Sequence, residues 1–372
     1  MRCFHYLCHA IGENEMLKPL KKLLIMAELY PLLFEPNLHE TVWGGRRLRP
    51  FKGLVPSNVP IGESWEVSAV TGSTSVVANG SWAGHSLDEV IASDPASFLG
   101  EAVAKRYDGK LPLLVKFIDA AQDLSIQVHP DDEMAMREHG KMGKSEMWYI
   151  IDAQPGSYLY AGFREEVSPE EYKQKVEDGT IVDVLARHEV KAGDVFYLPA
   201  GRVHAICGGI LLAEVQQSSD VTYRIFDYNR PGMDGRPREL HTELAAKAID
   251  FQVADEYRTQ YGTETDRANR VIDSPFFNVR VTEMTGAFHR NLLKYDSFII
   301  CMCIEGDCRI RIRQNGQETQ LNEGHSALIP AAIADYDVIP IGVKTRVLDA
   351  FIDNKNRSLG RAITRFLHIT SR

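Results

Sequence analysis

The sequence predicts a mainly β fold in which two jelly-roll-like antiparallel β-barrels stand in tandem, with small inserted helices. Short apolar runs bounded by Gly, Pro and Asp dominate from Leu111 onward, and they have the length and residue types of successive strands. A second block of such runs extends from about Phe276 to Ile352. The two blocks also match each other, because GDVFYLPAGRVHAI aligns with GHSALIPAAIADYD when Gly193 is placed over Gly324. A duplicated barrel is the economical explanation.

The predicted strands and helices follow in order along each block. The strands of the first block are LPLLVKFID, LSIQVHP, SEMWYIID, SYLYAGF, DVFYLPAG and GGILLAEVQQ. Those of the second block are FFNVRVTEM, SFIICMCIEG, CRIRIR, SALIPA and TRVLDAFID. Ser86–Phe98, and Pro169–Ala186 after the Ser168 cap, place apolar residues at helical intervals behind capping residues, which predicts inserted helices. A further helix is predicted at Thr242–Ile249.

The chain is predicted to have four parts. Residues 1–25 are expected to be an extension whose deletion leaves activity nearly unchanged, because the first pattern typical of a domain follows Met26. Residues 26–226 are expected to form the first barrel, with an N-terminal segment and helical insertions. Residues 227–270 are polar and are predicted to connect it to the second barrel, residues 271–372.

Composition and charge exclude several classes of protein. The chain has 372 residues, of which 44% are hydrophobic and 25% charged, as in globular rather than fibrous or disordered proteins. Its apolar windows are far shorter than the ~20 residues that a membrane-spanning helix needs. A net charge of -9 gives no basic field for nucleic acid, so an anionic substrate must meet a local basic pocket. Six cysteines without CxxC pairs are typical of a reduced, cytoplasmic protein.

Four residues of the first block form a candidate metal site. Gln127 and His129 lie two apart in the strand-like run LSIQVHP, so both side chains point to one face. Glu146 lies in the next predicted strand and His204 follows a Pro-Gly turn. A single histidine in a β protein is more often a surface residue or a hydrogen-bonded core residue, but this combination suits Zn²⁺ and leaves a position for substrate oxygen. In the second block Asp335 stands opposite His204, so one metal ion per chain is expected.

Several long segments resemble one enzyme family. LPLLVKFIDAAQDLSIQVHPDDEMA, GKSEMWYII, YLPAGRVHAI and EVQQSSDVTYRIFDYNR are similar to signature segments of the type I mannose-6-phosphate isomerases (phosphomannose isomerases), a zinc-dependent branch of the cupin superfamily. PLLFEPNLHETVWGG and IGESWEVSA resemble the N-terminal segments of that family, so the resemblance covers roughly Leu29 to Ile352. The chain lacks the large extra helical domain of the eukaryotic members and resembles the short bacterial forms. The resemblance therefore implies two cupin-type barrels.

The resemblance also implies roles for individual residues. The zinc ligands of the family fall on Gln127, His129, Glu146 and His204, and its catalytic arginine falls on Arg224. Lys116 and Lys144 match lysines that line the active site, and Ser125 matches a pocket serine. Glu214 matches an acidic residue discussed for proton transfer, and Arg230 matches a basic position that could contact the phosphate.

The expected function is zinc-dependent aldose–ketose isomerisation between mannose 6-phosphate and fructose 6-phosphate through an enediolate, in a cytoplasmic monomer or homodimer. In that reaction zinc and Arg224 would stabilise the oxyanion. Two alternatives remain open from the residues. The first is a cupin oxygenase, because His and carboxylate ligands also hold iron, although Gln127 argues against it. The second is a non-catalytic sugar-binding cupin, which would be expected to have lost some of these residues.

Overall fold

A computed structural model of the chain describes residues 29–291, 293 and 295–353, which form a mainly β, antiparallel structure with few helices, as predicted. The segment Met1–Ile25, predicted to be dispensable, lies outside the described residues. The strands of the N-terminal part are β1 (Leu32–Leu33), β2 (Leu38–Gly45), β3 (Ile61–Val67), β4 (Leu113–Ala120), β5 (Ile126–Val128), β6 (Glu146–Ala153), β7 (Tyr158–Phe163), β8 (Leu185–Glu189), β9 (Val195–Leu198), β10 (His204–Ile206), β11 (Ile210–Gln217) and β12 (Tyr223–Phe226). Those of the C-terminal part are β13 (Asn269–Asp273), β14 (Asn278–Met284), β15 (Phe288–Asn291), β16 (Ile299–Ile312), β17 (Glu318–Leu321), β18 (Ser326–Ile329) and β19 (Asp335–Phe351).

The α-helices are short; one predicted range, Thr242–Ile249, is shorter by one residue, and the other two differ more. They are α1 (Leu48–Phe51), α2 (Leu87–Ser93), α3 (Pro95–Leu99), α4 (Glu101–Arg106), α5 (Asp132–His139), α6 (Pro169–Glu177) and α7 (Thr242–Ala248). The predicted helix Ser86–Phe98 is divided, because Asp94 caps a new helix that starts at Pro95. The helix predicted for Pro169–Ala186 ends at Glu177, since Gly179 adopts a φ of +70° that a helix cannot continue. Among the described residues no helix is both long and apolar enough to span a membrane.

Two antiparallel sheets of the N-terminal part enclose the space in which the candidate site lies. One sheet has the strand order β2-β3-β4-β11-β6-β9 and the other β12-β5-β10-β7-β8. Alternate residues of β4 and β6 face opposite sides: Val115 and Met147 pack in one hydrophobic core, whereas Ile118 and Trp148 pack in a second core with residues of the other sheet. The even-numbered side chains near these positions therefore point into the space between the two sheets.

These sheets do not close into barrels, and in this respect the prediction is wrong. Strands β12 and β8 are the edges of one sheet and β2 and β9 the edges of the other, and among the described strands no pairing joins the two. The pattern of short apolar runs and turns is the same for a sandwich and a barrel, so the sequence could not distinguish them.

The third sheet carries the C-terminal part and follows the order β1-β18-β16-β19-β14-β13, with β15 and β17 paired to β19 and β16. Its first strand comes from the N-terminal segment, because Leu32 pairs with Leu328. The predicted repeat is visible locally. Strand β18 follows Gly324 as β9 follows Gly193, and both glycines have positive φ. The division into domains stays a prediction.

Candidate active site

One wall of the site is a row of side chains across the smaller sheet. Gln127 of β5 pairs with Arg224 of β12 on one side and with His204 of β10 on the other. Residues directly opposite each other in antiparallel strands share a face, so the pairing places Arg224, Gln127 and His204 side by side. His129 follows two residues after Gln127 and lies on the same face.

The opposite wall is a row across the larger sheet. Glu214 of β11 pairs with Lys116 of β4 and with Trp148 of β6, and Lys116 pairs in turn with Trp65 of β3. Glu146, the first residue of β6, lies two residues before Trp148 on the same face. The two sheets thus bring Glu146 toward the histidines of the other row.

His129, Glu146 and His204 form a compact buried cluster. His129 Nε2 lies 3.3 Å from Glu146 Oε2, and His204 Nε2 lies 3.3 Å from Glu146 Oε1. Each residue offers one ligand atom, and these atoms all lie within 4.8 Å of one another. The side chains of His129 and His204 are only 2% exposed and that of Glu146 is 0% exposed, so bulk solvent does not reach them.

The hydrogen bonds of the two imidazoles fix their tautomers. His129 Nδ1 donates to the Val221 carbonyl at 2.9 Å, and His204 Nδ1 donates to the Arg202 carbonyl at 2.8 Å. A carbonyl can only accept, so each neutral ring carries its lone pair on Nε2. Burial, and secondarily Lys144, lowers the pKa of His129 to about 3, and burial also lowers the pKa of His204. Both rings are therefore neutral near pH 7.

Glu146 completes a set of lone-pair atoms that needs a cation. Burial alone would raise its pKa, but Lys144, whose Nζ lies 3.2 Å from Oε2, holds the pKa of Glu146 well below its ordinary value. The ionised carboxylate thus turns both oxygens toward two nitrogen lone pairs. His129 Nε2 and both Glu146 oxygens are buried without a hydrogen-bond partner among the described residues. Facing acceptors at 3.3 Å repel each other unless a positive ion lies between them.

The amide of Gln127 lies beside the cluster. Its Nε2 is 3.2 Å from His204 Nε2. Rotation of the amide by a half-turn exchanges Nε2 and Oε1, and it would turn the oxygen toward the same point. Two imidazoles, one carboxylate and an amide oxygen are borderline-to-hard donors of the kind that Zn²⁺ accepts, with a single negative charge. The residues present therefore fit a zinc ion.

A second carboxylate and a lysine lie on the larger sheet. Glu214 Oε2 accepts a hydrogen bond from Trp148 Nε1 at 2.9 Å, whereas Oε1, 3.4 Å from Lys116 Nζ, has no hydrogen-bond partner. Burial, and then the nearby Glu146, raises the pKa of Glu214. Burial alone would lower the pKa of Lys116, but Glu63 and Glu214 raise it above its ordinary value. Lys116 therefore stays charged between two carboxylates.

A cavity of about 200 Å³ opens between the rows. Six of the site residues predicted from the sequence line it, and these are Lys116, Ser125, Gln127, Lys144, Glu214 and Arg224. Behind this lining lies the metal cluster: Gln127 contacts His204 and Lys144 contacts Glu146, and Glu146 in turn contacts His129. Arg224 donates from Nη1 to the Glu239 carbonyl at 2.9 Å, and its buried Nε has no hydrogen-bond partner among the described residues.

Arg230 is the predicted site residue that the structure does not bring to the cavity. Its guanidinium is paired with Asp227 at 2.9 Å. Arg238, which sequence reasoning missed, contacts the same carboxylate at 2.6 Å and lines the cavity. The residues next to Arg238 in the polar connector do not distinguish it from the other arginines there. Its position is set by its ion pair with Asp227. Glu63 and Trp65 were missed as well, although they lie in the quoted segment IGESWEVSA.

Two family models match separate parts of the chain. One is described as "Phosphomannose isomerase type I, catalytic domain" and matches residues 32–159. The other is described as "Mannose-6-phosphate isomerase, cupin domain" and matches residues 268–340.

Relatives with curated descriptions match over most of the chain. "Probable mannose-6-phosphate isomerase GmuF" of Bacillus subtilis is 37% identical over 313 residues, 83% of this chain and 96% of the relative. The mannose-6-phosphate isomerase of Streptococcus mutans is 34% identical over 315 residues, 84% of this chain and 95% of the relative. The crystal structure of the mannose 6-phosphate isomerase from Bacillus subtilis superposes with a TM-score of 0.78 at 31% identity, covering 87% of this chain and 99% of that one. The chain therefore belongs to the type I mannose-6-phosphate isomerase family.

Proposed function

We propose that the chain interconverts mannose 6-phosphate and fructose 6-phosphate through an enediolate, with one zinc ion bound by Gln127, His129, Glu146 and His204. The observation that carries this proposal is the buried cluster in which two imidazole lone pairs face both oxygens of Glu146. The relatives that match most of the chain are named for the same reaction. When bound, zinc would supply Lewis acidity that stabilises negative charge on a substrate oxygen.

Arg224 is proposed to stabilise the enediolate oxyanion. It lies in register with Gln127 and therefore beside the metal cluster. The Glu239 carbonyl fixes one end of the guanidinium, while Nε remains without a partner and can donate to an oxygen in the cavity. A donor that is already oriented before the charge develops stabilises the transition state more than the substrate.

Glu214 is proposed to carry the proton between C1 and C2. Trp148 holds one of its oxygens, and the other oxygen is buried and unpartnered beside the cavity. Its raised pKa brings the carboxyl closer to neutral pH, where a group that must both accept and return a proton works best. Lys144 keeps Glu146 ionised, and the Ser125 hydroxyl on the cavity wall is proposed to bind a sugar hydroxyl.

The phosphate is proposed to bind to Arg238, which lines the cavity. Arg230 and Arg238 share the single carboxylate of Asp227, so these three side chains together carry more positive than negative charge. The pKa of Arg224 is lowered by burial and then by the nearby Arg238, which indicates that these two guanidinium groups repel each other and that a dianion would relieve the repulsion. In this arrangement Arg230 orients Asp227, and Lys116 binds sugar oxygens rather than phosphate.

We further propose that the two β-rich parts are duplicated cupin domains, residues 26–226 and 271–372, joined by the connector 227–270, and that only the first binds metal. The equivalent positions of β9 and β18 support the duplication. Leu198 pairs with Glu146, whereas Ile329 pairs with Ile299, so an apolar residue replaces the metal-binding carboxylate in the second part. The cytoplasmic location and the monomeric or dimeric state stay predictions from the sequence.

The test is a coupled assay of the purified full chain with mannose 6-phosphate, combined with metal analysis of protein prepared without added metal. The account expects turnover and one zinc per chain. Glu146→Gln should lose both, whereas Asp152→Asn, on the exposed end of the same strand, should keep both. Iron in place of zinc, with no isomerisation, would favour the oxygenase alternative. Two tightly bound metals per chain would contradict a single site.

A further inference from the structure

The C-terminal part contains a cavity of its own, with a volume of about 250 Å³. Its wall includes Arg290 of β15 and Asp349 of β19, together with the rings of Phe288 and Phe351. This volume is several times the ~30 Å³ that one water molecule occupies in the liquid. The cavity is separate from the one lined by Arg224 and shares no lining residue with it.

The floor of this cavity is a buried ion pair with vacant hydrogen-bonding atoms. Arg290 Nη2 donates to Asp349 Oδ2 and to Thr282 Oγ1, both at 2.6 Å. The side chains of Arg290 and Asp349 are 5% and 6% exposed. Arg290 Nε and Asp349 Oδ1 nevertheless have no hydrogen-bond partner among the described residues. Leaving one such group unsatisfied costs about 1–3 kcal/mol, so a donor and an acceptor left vacant together indicate a missing partner.

The charges around the cavity indicate an uncharged partner. Besides Arg290, the cavity is lined by Arg280 and His289, and each of these groups is already engaged. Arg280 pairs with Asp273 at 2.7 Å, a carboxylate that it shares with the exposed Arg270, and it also donates to the Ile272 and Val279 carbonyls; His289 pairs with Asp335 at 2.6 Å. Both terminal nitrogens of Arg280 and the Nε2 of His289 are therefore occupied, which disfavours a phosphate. A hydroxyl group can accept from Arg290 Nε and donate to Asp349 Oδ1 at once, and the aromatic rings suit the apolar face of a sugar.

The strand register relates this cavity to the metal site. Glu146 pairs with Leu198 of β9, and Ile299 pairs with Ile329 of β18, the strand that follows Gly324 as β9 follows Gly193. Ile299 lines the second cavity. The C-terminal part thus keeps a cavity at the position that corresponds to the metal cluster, with an apolar residue where the metal-binding carboxylate would be.

We propose that this second cavity binds a small, uncharged, hydroxylated molecule, a sugar or polyol, between the Arg290–Asp349 pair and the aromatic rings. The site is independent of the proposed isomerase reaction. Binding of an unphosphorylated sugar here would let the chain respond to a molecule that its active site, where Arg238 is proposed to bind a phosphate, is not built to bind.

The experiment is calorimetric titration of the full chain with methyl α-D-mannopyranoside and with D-mannitol, neither of which can be isomerised. A saturating, equilibrated mixture of mannose 6-phosphate and fructose 6-phosphate occupies the active site throughout. Saturable binding of either probe is expected. Ala268→Trp should weaken it about tenfold or more, because Ala268 is exposed and lines the cavity, so the indole blocks the cavity without touching the ion pair.

Two further variants complete the test. Ala83→Trp, at an equally exposed alanine outside the cavity, should bind as the unaltered chain does. Asp349→Asn should also weaken binding, but it leaves Arg290 without its counter-ion and can unfold the chain, so Ala268→Trp decides the matter. The proposal is overturned if neither probe binds saturably, which would assign the cavity to ordered water only. It is also overturned if Ala268→Trp binds as tightly as Ala83→Trp, or if the probes bind only when the substrate mixture is left out.

Discussion

Replacement of Arg224 by alanine is the most informative single perturbation of the proposed reaction. The guanidinium has one end anchored on the Glu239 carbonyl and presents a buried, unpartnered Nε beside the cavity. The substitution thus removes one oriented donor from the developing oxyanion. One such donor contributes about 3 kcal/mol, so kcat should fall about a hundredfold or more while the zinc content stays unchanged. Lysine should restore little, because an ammonium does not reproduce the planar guanidinium.

The assay is steady-state conversion of mannose 6-phosphate, with metal content measured on the same samples. Arg258→Ala is a matched control, because Arg258 is also partly buried, donates to a backbone carbonyl, that of Glu189 at 2.6 Å, and lies outside the cavity. It should leave kcat nearly unchanged. If Arg224→Ala raised KM alone and left kcat intact, Arg224 would be a phosphate ligand and the proposed oxyanion role would be wrong.

Three further predictions concern the same cavity. Arg238→Gln should raise KM for mannose 6-phosphate by about tenfold or more, and Arg230→Gln should raise it less, because Arg238 alone of this pair lines the cavity; equal effects would contradict the assignment of the phosphate to Arg238. The pH profile of kcat/KM should fall on the acid side through an apparent pKa above the ordinary 4.5 of a glutamate, since the raised pKa of Glu214 leaves it protonated and unable to accept a proton below that value, and Glu214→Gln should abolish this limb along with most of the activity. Trp148→Phe removes the hydrogen bond to the ionised carboxylate of Glu214 and should shift the same limb to higher pH with about a tenfold loss of kcat; an unshifted limb would mean that Glu214 does not produce it.

Much of the fold could be predicted from the sequence because its strands are buried apolar runs whose ends are marked by Gly, Pro and Asp. The run LPLLVKFID became β4, which is buried along its whole length, and GGILLAEVQQ became β11 in the same way. Helix ends were harder to predict. Periodicity alone extended the helix after Ser168 to Ala186, whereas the positive φ of Gly179 ends it, and a 3-10 turn at Ile181–Val184 then leads into the strand Leu185–Glu189. Sheet closure depends on pairings between distant edges, which a local pattern does not contain.

The metal cluster could be predicted because strand periodicity places Gln127 and His129 on one face, and because Glu146 in the next predicted strand and His204 after a Pro-Gly turn complete a ligand set that the family resemblance also implies. The residues proposed to bind the phosphate could not be predicted in this way. Arg230 lies in a quoted segment, but it pairs with Asp227 and does not line the cavity, whereas Arg238, eleven residues beyond Asp227, pairs with the same carboxylate and does line it. The positions of such side chains are set by tertiary ion pairs, and neither composition nor spacing encodes these. The buried pair of Arg290 and Asp349 was missed for the same reason.

The central claim is that isomerisation depends on a single metal ion held by His129, Glu146 and His204. The most direct measurement is turnover of mannose 6-phosphate by the chain after removal of metal with a chelator, followed by titration with zinc and with circular dichroism recorded at each step. The account predicts that turnover disappears with little loss of β structure, because the hydrophobic cores do not depend on the ion, and that it returns fully at one zinc per chain. Undiminished turnover by the metal-free chain, or recovery that needs a second equivalent of zinc, would contradict it.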